Sequence, residues 1–166
     1  MSLTLASAVF GVATSLVTTK IPRFGELIAR RDFAELDASF FPAMWRAFGA
    51  MALGAVALLC GTFVLRAIGH RWSDRLLEPL PFALLSLTML VNTIFFAQAV
   101  YLRAHKREPL LGIFIASGLT VAASTLLVGR VYGPTGMMLG YFLTSLVVSL
   151  GGGTWVFLRK RREWHA

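Results

Sequence analysis

Apolar residues fall into five long runs that no charged residue interrupts. A helix needs about 20 uncharged residues to cross the hydrocarbon core of a bilayer, and each run approaches or exceeds that length. The runs predict spans at residues 3–19, 47–65, 80–102, 110–129 and 136–158. We therefore expect an all-α fold, a polytopic membrane helix bundle of about five transmembrane helices that forms one domain over residues 1–166.

The last two predicted spans are joined by only six residues, 130–135. A connection of this length is too short to hold a domain of its own. Helices joined by so short a turn pack side by side and antiparallel. The sequence therefore predicts a helical hairpin at the end of the chain.

The segment between the first two spans carries a helical pattern of its own. Its apolar positions recur at helical spacing, at Phe33, Leu36, Phe40, Met44 and Phe48. Asp32, followed three residues later by Glu35, resembles a capping box. The pattern predicts an amphipathic cytoplasmic linker helix over about residues 32–46, lying along the membrane interface. The alternative is a simple extension of the second span below the membrane.

The distribution of cations predicts the orientation. Twelve Lys and Arg residues lie in residues 20–46, in residues 103–108 and after residue 158, whereas four lie in the other two loops. Because cytoplasmic loops carry the excess of Lys and Arg, we expect a multi-pass protein of the inner (plasma) membrane with its C-terminus in the cytosol and its N-terminus outside. An exported N-terminus is uncommon, which points to further helices upstream or in another subunit.

Composition favours a lipid-embedded chain over a soluble domain. Hydrophobic residues make up 57% of the sequence, and the mean hydropathy is +0.71. The net charge of +8 raises the question of nucleic acid as a partner. The cations cluster beside apolar runs, as membrane loops require, and no soluble segment is long enough to read a nucleic acid. We therefore expect the lipid bilayer as a partner and no nucleic acid.

Small residues within two spans predict where helices approach closely, since helices in lipid associate through such faces. These residues recur at steps of three or four: Ala50, Gly54, Ala57 and Gly61 in the second span, and Gly136, Gly140 and Thr144 in the last. Three successive glycines, Gly151, Gly152 and Gly153, weaken the end of the last span. They indicate either a hinge or tight packing.

Polar residues within the spans are few. Asn92 and Gln98 in the third span are costly to leave unpaired in lipid. Ser117, Thr120 and Ser124 share one face of the fourth span, at steps of three and four. These five residues are the candidates for lining an aqueous cavity. The alternative is that the hydroxyls bond back to their own helix and the amides bond a neighbouring helix.

The spans contain no paired nucleophile and base, no set of metal ligands and no pair of carboxylates. We therefore expect neither an enzyme, nor a metal site, nor a cofactor. A membrane enzyme of cell-envelope assembly would need acids at the membrane surface, where Asp74 and Glu78 beside His70 are the candidates. His105 is interpreted as a solvated interface residue.

Three stretches resemble the C-terminal portion of polysaccharide or lipid-linked oligosaccharide flippases, in the superfamily of multidrug and oligosaccharidyl-lipid exporters. Residues 21–36 are similar to the family's cytoplasmic linker, which follows the pattern P-x-x-x-x-L-x-A-x-x-D. Residues 101–109 are similar to the short basic link between the fourth and fifth helices of a repeat. Residues 131–136 are similar to the family's Y-G-x-x-G turn into the final helix.

The resemblance implies two six-helix lobes that move lipid-linked oligosaccharide across the inner membrane by alternating access. The five predicted spans correspond to the last five of twelve helices, so transport would need another membrane chain or the missing N-terminal half. Arg130 is then a candidate anion contact on the outer side. Cavity cations of the family have no counterpart within these spans.

The alternative is a non-transporting membrane subunit or scaffold that binds other helices through its small-residue faces. The two hypotheses differ in what they expect of the polar side chains. A carrier places them along a groove, whereas a scaffold buries them in contacts between helices.

Overall fold

The computed structural model describes residues 2–69 and 76–165. Within them the chain is helical and contains no strand, which confirms the predicted helical class. The elements are α1 (Ser2–Thr18), α2 (Ile21–Arg30), α3 (Phe33–Ala67), α4 (Pro79–Ala104), α5 (Leu111–Thr144), a π-helical segment (Ser145–Gly152) and α6 (Gly153–His165). His70 and Asp74, named above as candidates at the membrane surface, lie outside the described residues.

Four helical segments among the described residues are long and apolar enough to cross a membrane. They are Ser2–Arg30, Phe33–Ala67, Pro79–Ala104 and Leu111–His165. The last contains 55 residues and would extend about 80 Å as a straight helix, far beyond the roughly 30 Å of a hydrocarbon core. Its contacts show that it is not straight.

The last segment folds back on itself at Gly133. This residue has φ of 59°, a conformation that glycine adopts without steric cost, and Pro134 follows it. Ser117 Oγ lies 2.9 Å from Ser149 Oγ across the fold. A Cβ added at Gly140 would stand 2.8 Å from Ser124 Cβ. These contacts pair residues on either side of Gly133, in agreement with the predicted antiparallel hairpin.

The helix that begins near Asp32 differs from the prediction in its length. The Glu35 backbone N–H donates to Asp32 Oδ1 over 3.0 Å, so Asp32 caps α3 as expected. The helix then continues through Pro42 to Ala67. The linker at 32–46 is therefore not a separate helix but the first part of the second long helix, which was the alternative. The short helix α2, which buries Phe24 and Leu27, was not predicted.

Two clusters of buried side chains hold the bundle together. At one end, aromatic rings of Phe24, Phe40, Tyr101 and Phe157 pack edge to face or tilted, with centroids between 4.7 and 6.2 Å apart. The other cluster joins α1, α3 and α4 around Met51, Phe82 and Leu85. The first cluster brings residues 20–37, 103–108 and 159–165 to the same end of the bundle, which we call the basic end.

The small-residue faces meet other helices only in part. Gly54 lies against Val9 of α1, with no room for a Cβ. Ala57 and Gly61 are exposed, since α3 buries a neighbouring face through Met51, Ala55 and Thr62. In the hairpin, the whole predicted face is buried: Gly136, Gly140 and Thr144. Ala50 is partly buried.

Candidate functional site

A groove of about 250 Å³ opens between α1, α4 and the hairpin. Its lining combines four phenylalanine rings with an amide and several hydroxyls. The residues are Phe10, Asn92, Phe95, Phe96, Phe114, Ser117, Tyr141, Ser145 and Ser149. Ligand sites are typically concave and mostly apolar with a few placed polar groups, and this lining fits that description. It contains no charged side chain, so its chemistry suits an uncharged group.

The hydroxyl side of the groove is formed largely by one face of the second arm of the hairpin. Tyr141, Ser145 and Ser149 recur at steps of four, and Ser145 begins the π-helical segment that also contains Ser149. A π-helical turn is wider than an α-helical turn and is frequent at functional sites. The hydrogen bond between Ser149 and Ser117 joins the two arms of the hairpin beside the groove.

Asn92 holds α4 to the hairpin at the groove. Its Nδ2 donates to Tyr141 Oη over 3.1 Å. Asn92 therefore lines the groove and also makes a contact between helices. The sequence predicted either cavity lining or a hydrogen bond to a neighbouring helix for Asn92, and the structure shows both.

Gln98 makes a different contact, farther along α4. Its Nε2 donates to Thr154 Oγ1 over 3.0 Å, and the Thr154 hydroxyl donates back to Gln98 Oε1 over 3.2 Å. Gln98 is buried and does not line the groove. Its two hydrogen bonds clamp α4 to α6.

The other predicted site residues lie away from the groove. Thr120 is exposed and donates to the Ala116 carbonyl over 2.8 Å. Ser124 donates to the Val121 carbonyl over 3.0 Å and packs against Gly140. Arg130 is exposed beside the hairpin turn, at the end opposite the basic end. Of the five cavity candidates, the structure brings Asn92 and Ser117 together.

The sequence analysis missed the remaining groove residues. Tyr141, Ser145 and Ser149 carried a usable signal, because their steps of four place them on one helix face. The phenylalanines carried none, since Phe95 and Phe114 lie among many apolar residues of the same spans. Only the tertiary arrangement distinguishes a ring that faces the groove from one on the outer surface of the bundle.

A second polar cluster, also missed, lies at the basic end. We call Asp37, Tyr101, Arg161 and His165 the Asp37 cluster. The Arg161 guanidinium donates from Nε and from a terminal nitrogen to the carboxylate of Asp37. The Tyr101 hydroxyl donates to Asp37 Oδ1 over 2.9 Å. Its oxygen lies 2.9 Å from His165 Nε2, from which it accepts a hydrogen bond.

Charge and burial set the protonation of the Asp37 cluster. The hydrogen bonds to Asp37 raise the pKa of Arg161, which keeps its charge. Burial lowers the pKa of His165, which favours the neutral imidazole. Because the Tyr101 hydroxyl donates its own proton to Asp37, the hydrogen bond between His165 and Tyr101 places the imidazole proton on Nε2. Each group in the cluster has a partner on another helix. The cluster ties α3, α4 and α6 together.

The described residues contain no group of three or more His, Cys, Asp or Glu side chains that would hold a metal ion. The groove and the Asp37 cluster each join residues from several helices. The three stretches compared with exporters, residues 21–36, 101–109 and 131–136, fall on α2 and the start of α3, on the end of α4 and the connection after it, and on the hairpin turn. Comparison with protein-family models, with curated proteins and with solved structures finds no match to this chain.

Proposed function

We propose that this chain is a five-span membrane protein that contributes part of a flippase-like carrier for lipid-linked oligosaccharide. In this proposal it corresponds to the C-terminal portion of such a carrier and moves its substrate by alternating access. It works with further membrane helices, supplied by another chain or by an N-terminal half. The observation that carries the proposal is the groove between α1, α4 and the hairpin, whose uncharged lining suits the sugar portion of such a substrate and not its anionic phosphates.

Helix length supports the membrane placement. The first hairpin arm, from Leu111 to Tyr132, extends about 33 Å and matches a hydrocarbon core of roughly 30 Å. The hairpin thus supplies two crossings, and α1, α3 and α4 supply the other three. The basic end, which gathers the cation-rich segments, lies in the cytosol by the positive-inside rule.

The depth of the groove supports a role in transport. Asn92 and Ser145 are near the middle of their spans, and Ser117 lies about a third of the way along the first hairpin arm. Polar groups at this depth are costly in lipid unless they are paired or line a polar cavity. A groove with hydroxyls on one side and phenylalanine rings on the other suits an amphiphile whose polar and apolar parts must pass together.

Thiol labelling tests the groove directly. In a Cys60→Ser background, which removes the single native cysteine, Ser117→Cys is labelled with N-ethylmaleimide in liposomes, with and without lipid-linked oligosaccharide. We expect the substrate to slow labelling about tenfold at ten times its Kd. Tyr132→Cys is the control, because Tyr132 is 70% exposed at the hairpin turn and does not line the groove. Equal rates with and without substrate would contradict the proposal.

A scaffold function remains the second candidate, and the paired amides favour it. Asn92 and Gln98 each bond the last helical segment, and the exposed Ala57 and Gly61 form a small-residue face open to another helix. If the chain is a scaffold, lipid-linked oligosaccharide should not slow the labelling of Ser117→Cys. This hypothesis predicts instead that Gly61→Cys is labelled more slowly in native membranes, where the partner is present, than in liposomes.

A further inference from the structure

We infer that the outer face of α6 binds the headgroup of an anionic phospholipid. The inference uses the membrane placement proposed above and is independent of what the groove binds. The site consists of Trp155, Leu158, Arg159 and Arg162, which we call the α6 headgroup site.

The site is a hollow on the exposed side of α6. Gly153 and Phe157 face the bundle and are buried. The opposite side, with Glu163 added to the four site residues, encloses a hollow of about 460 Å³. The residues recur at steps of three and four, so they share one face. That face is apolar at its start and basic at its end.

The order of residues matches the layers of a membrane interface. Trp155 and Arg162 are seven residues apart, about 10 Å along the helix. Trp is enriched at the interface of a bilayer, and Trp155 is 63% exposed. When the Trp155 ring lies at the edge of the hydrocarbon, Arg162 lies at the level of the phosphates.

Local charge makes the hollow cationic. Arg159 donates to Glu163 over 3.1 Å, and Lys160 donates to the same carboxylate over 2.6 Å. Hydrogen bonding from Lys160 lowers the pKa of Glu163, which is therefore ionised. The Glu163 carboxylate is thus outnumbered by three cations, Arg159, Lys160 and Arg162. Arg162 makes no ion pair with another described residue. A phosphodiester accepts two hydrogen bonds from a guanidinium in a fixed geometry.

Arginine side chains at the basic end lie close to aromatic rings. Guanidinium groups stand over aromatic rings in four pairs: Arg103 over Phe114, Arg107 over Trp164, Arg159 over Trp155 and Arg161 over Phe41, at 5.2 to 6.0 Å from the centroids. Such pairs combine an apolar body with a charged tip, which suits a side chain at a membrane interface. A zwitterionic headgroup brings its own cation to such a surface, whereas an anionic headgroup adds only negative charge. The site therefore favours the anionic lipid.

Fluorescence quenching tests the site. A variant with Trp155 as the sole tryptophan, the other three being replaced by Phe, is reconstituted in phosphatidylcholine vesicles. Lipid with brominated tails, either phosphatidylglycerol or phosphatidylcholine, is added at the same small mole fraction. We expect the anionic lipid to quench Trp155 as if it were enriched about fivefold beside the ring, the gain expected from one basic residue near the surface.

Matched charge variants identify the residues responsible. Arg159→Gln with Arg162→Gln should abolish the preference for the anionic lipid. Arg30→Gln with Arg31→Gln removes the same charge from the same end and should leave it intact. Equal quenching by both lipids, or a preference that survives the first pair, would overturn the inference. So would loss of the preference on adding inorganic phosphate, which would point to a free anion instead. The thiol-labelling test at Ser117→Cys can show no protection by oligosaccharide without affecting this result, since the vesicles used here contain no oligosaccharide.

Discussion

Replacing Gly153 with leucine is expected to lower the free energy of unfolding by about 2 kcal/mol, the cost of overpacking a close contact. A Cβ at this position would stand 2.5 Å from Phe95 Cδ2 and Cε2. To make room, α6 must move away from α4 and strain the hydrogen bonds between Gln98 and Thr154. Unfolding in mixed micelles, followed by circular dichroism, measures the change.

The neighbouring glycine provides the control. Gly151 is exposed, and the nearest atom to a Cβ there is the Leu146 carbonyl oxygen at 3.6 Å. Gly151→Leu should therefore cost less than about 0.5 kcal/mol, as for a surface substitution. This pair of variants separates the two interpretations of the three successive glycines, a hinge or tight packing. If both variants destabilised the protein equally, the packing interpretation of Gly153 would be wrong.

Replacing Asp37 with alanine is expected to cost about 2 kcal/mol. The pair with Arg161 is partly buried, with side chains 18% and 31% exposed, so the cost lies between that of an exposed pair and that of a buried one. The substitution leaves the guanidinium without its carboxylate, and the buried Tyr101 hydroxyl without an acceptor. The same unfolding measurement applies.

An exposed ion pair at the same end is the control. Arg30 donates to Glu26, and both side chains are more than half exposed. Glu26→Ala should change the free energy of unfolding by less than about 0.5 kcal/mol. Adding Arg161→Met to Asp37→Ala should restore part of the loss, because it removes the unpaired charge. A loss for Asp37→Ala no larger than for Glu26→Ala would contradict the role assigned to the cluster.

The helical class and the hairpin followed from the sequence because both depend on local features. Charge is absent from the apolar runs, and the turn around Gly133 is too short for anything but a fold-back. The capping pattern likewise identified the start of α3 at Asp32. Its continuation past Pro42 was left open as one of two alternatives, since nothing in the pattern marks whether one helix ends where the next apolar run begins.

The groove and the Asp37 cluster were predicted less completely, because both depend on contacts between residues far apart in the sequence. Asn92 and Ser117 were identified as polar residues in apolar spans. Steps of four place Tyr141, Ser145 and Ser149 on one helix face, but periodicity does not show that this face lies against Asn92 and Ser117. Asp37 and Arg161 are 124 residues apart. The sequence shows each as one charge among many at the ends of helices.

The central claim is that the chain crosses the membrane five times with its basic end in the cytosol. In the Cys60→Ser background, single cysteines are placed at Tyr132, which is 70% exposed at the hairpin turn, and at Arg162 on the exposed side of α6. Intact cells are treated with a membrane-impermeant maleimide. The account predicts that Tyr132→Cys is labelled and that Arg162→Cys is labelled only after the cells are permeabilised. Labelling of both positions from the same side, or of Arg162→Cys alone in intact cells, would contradict it.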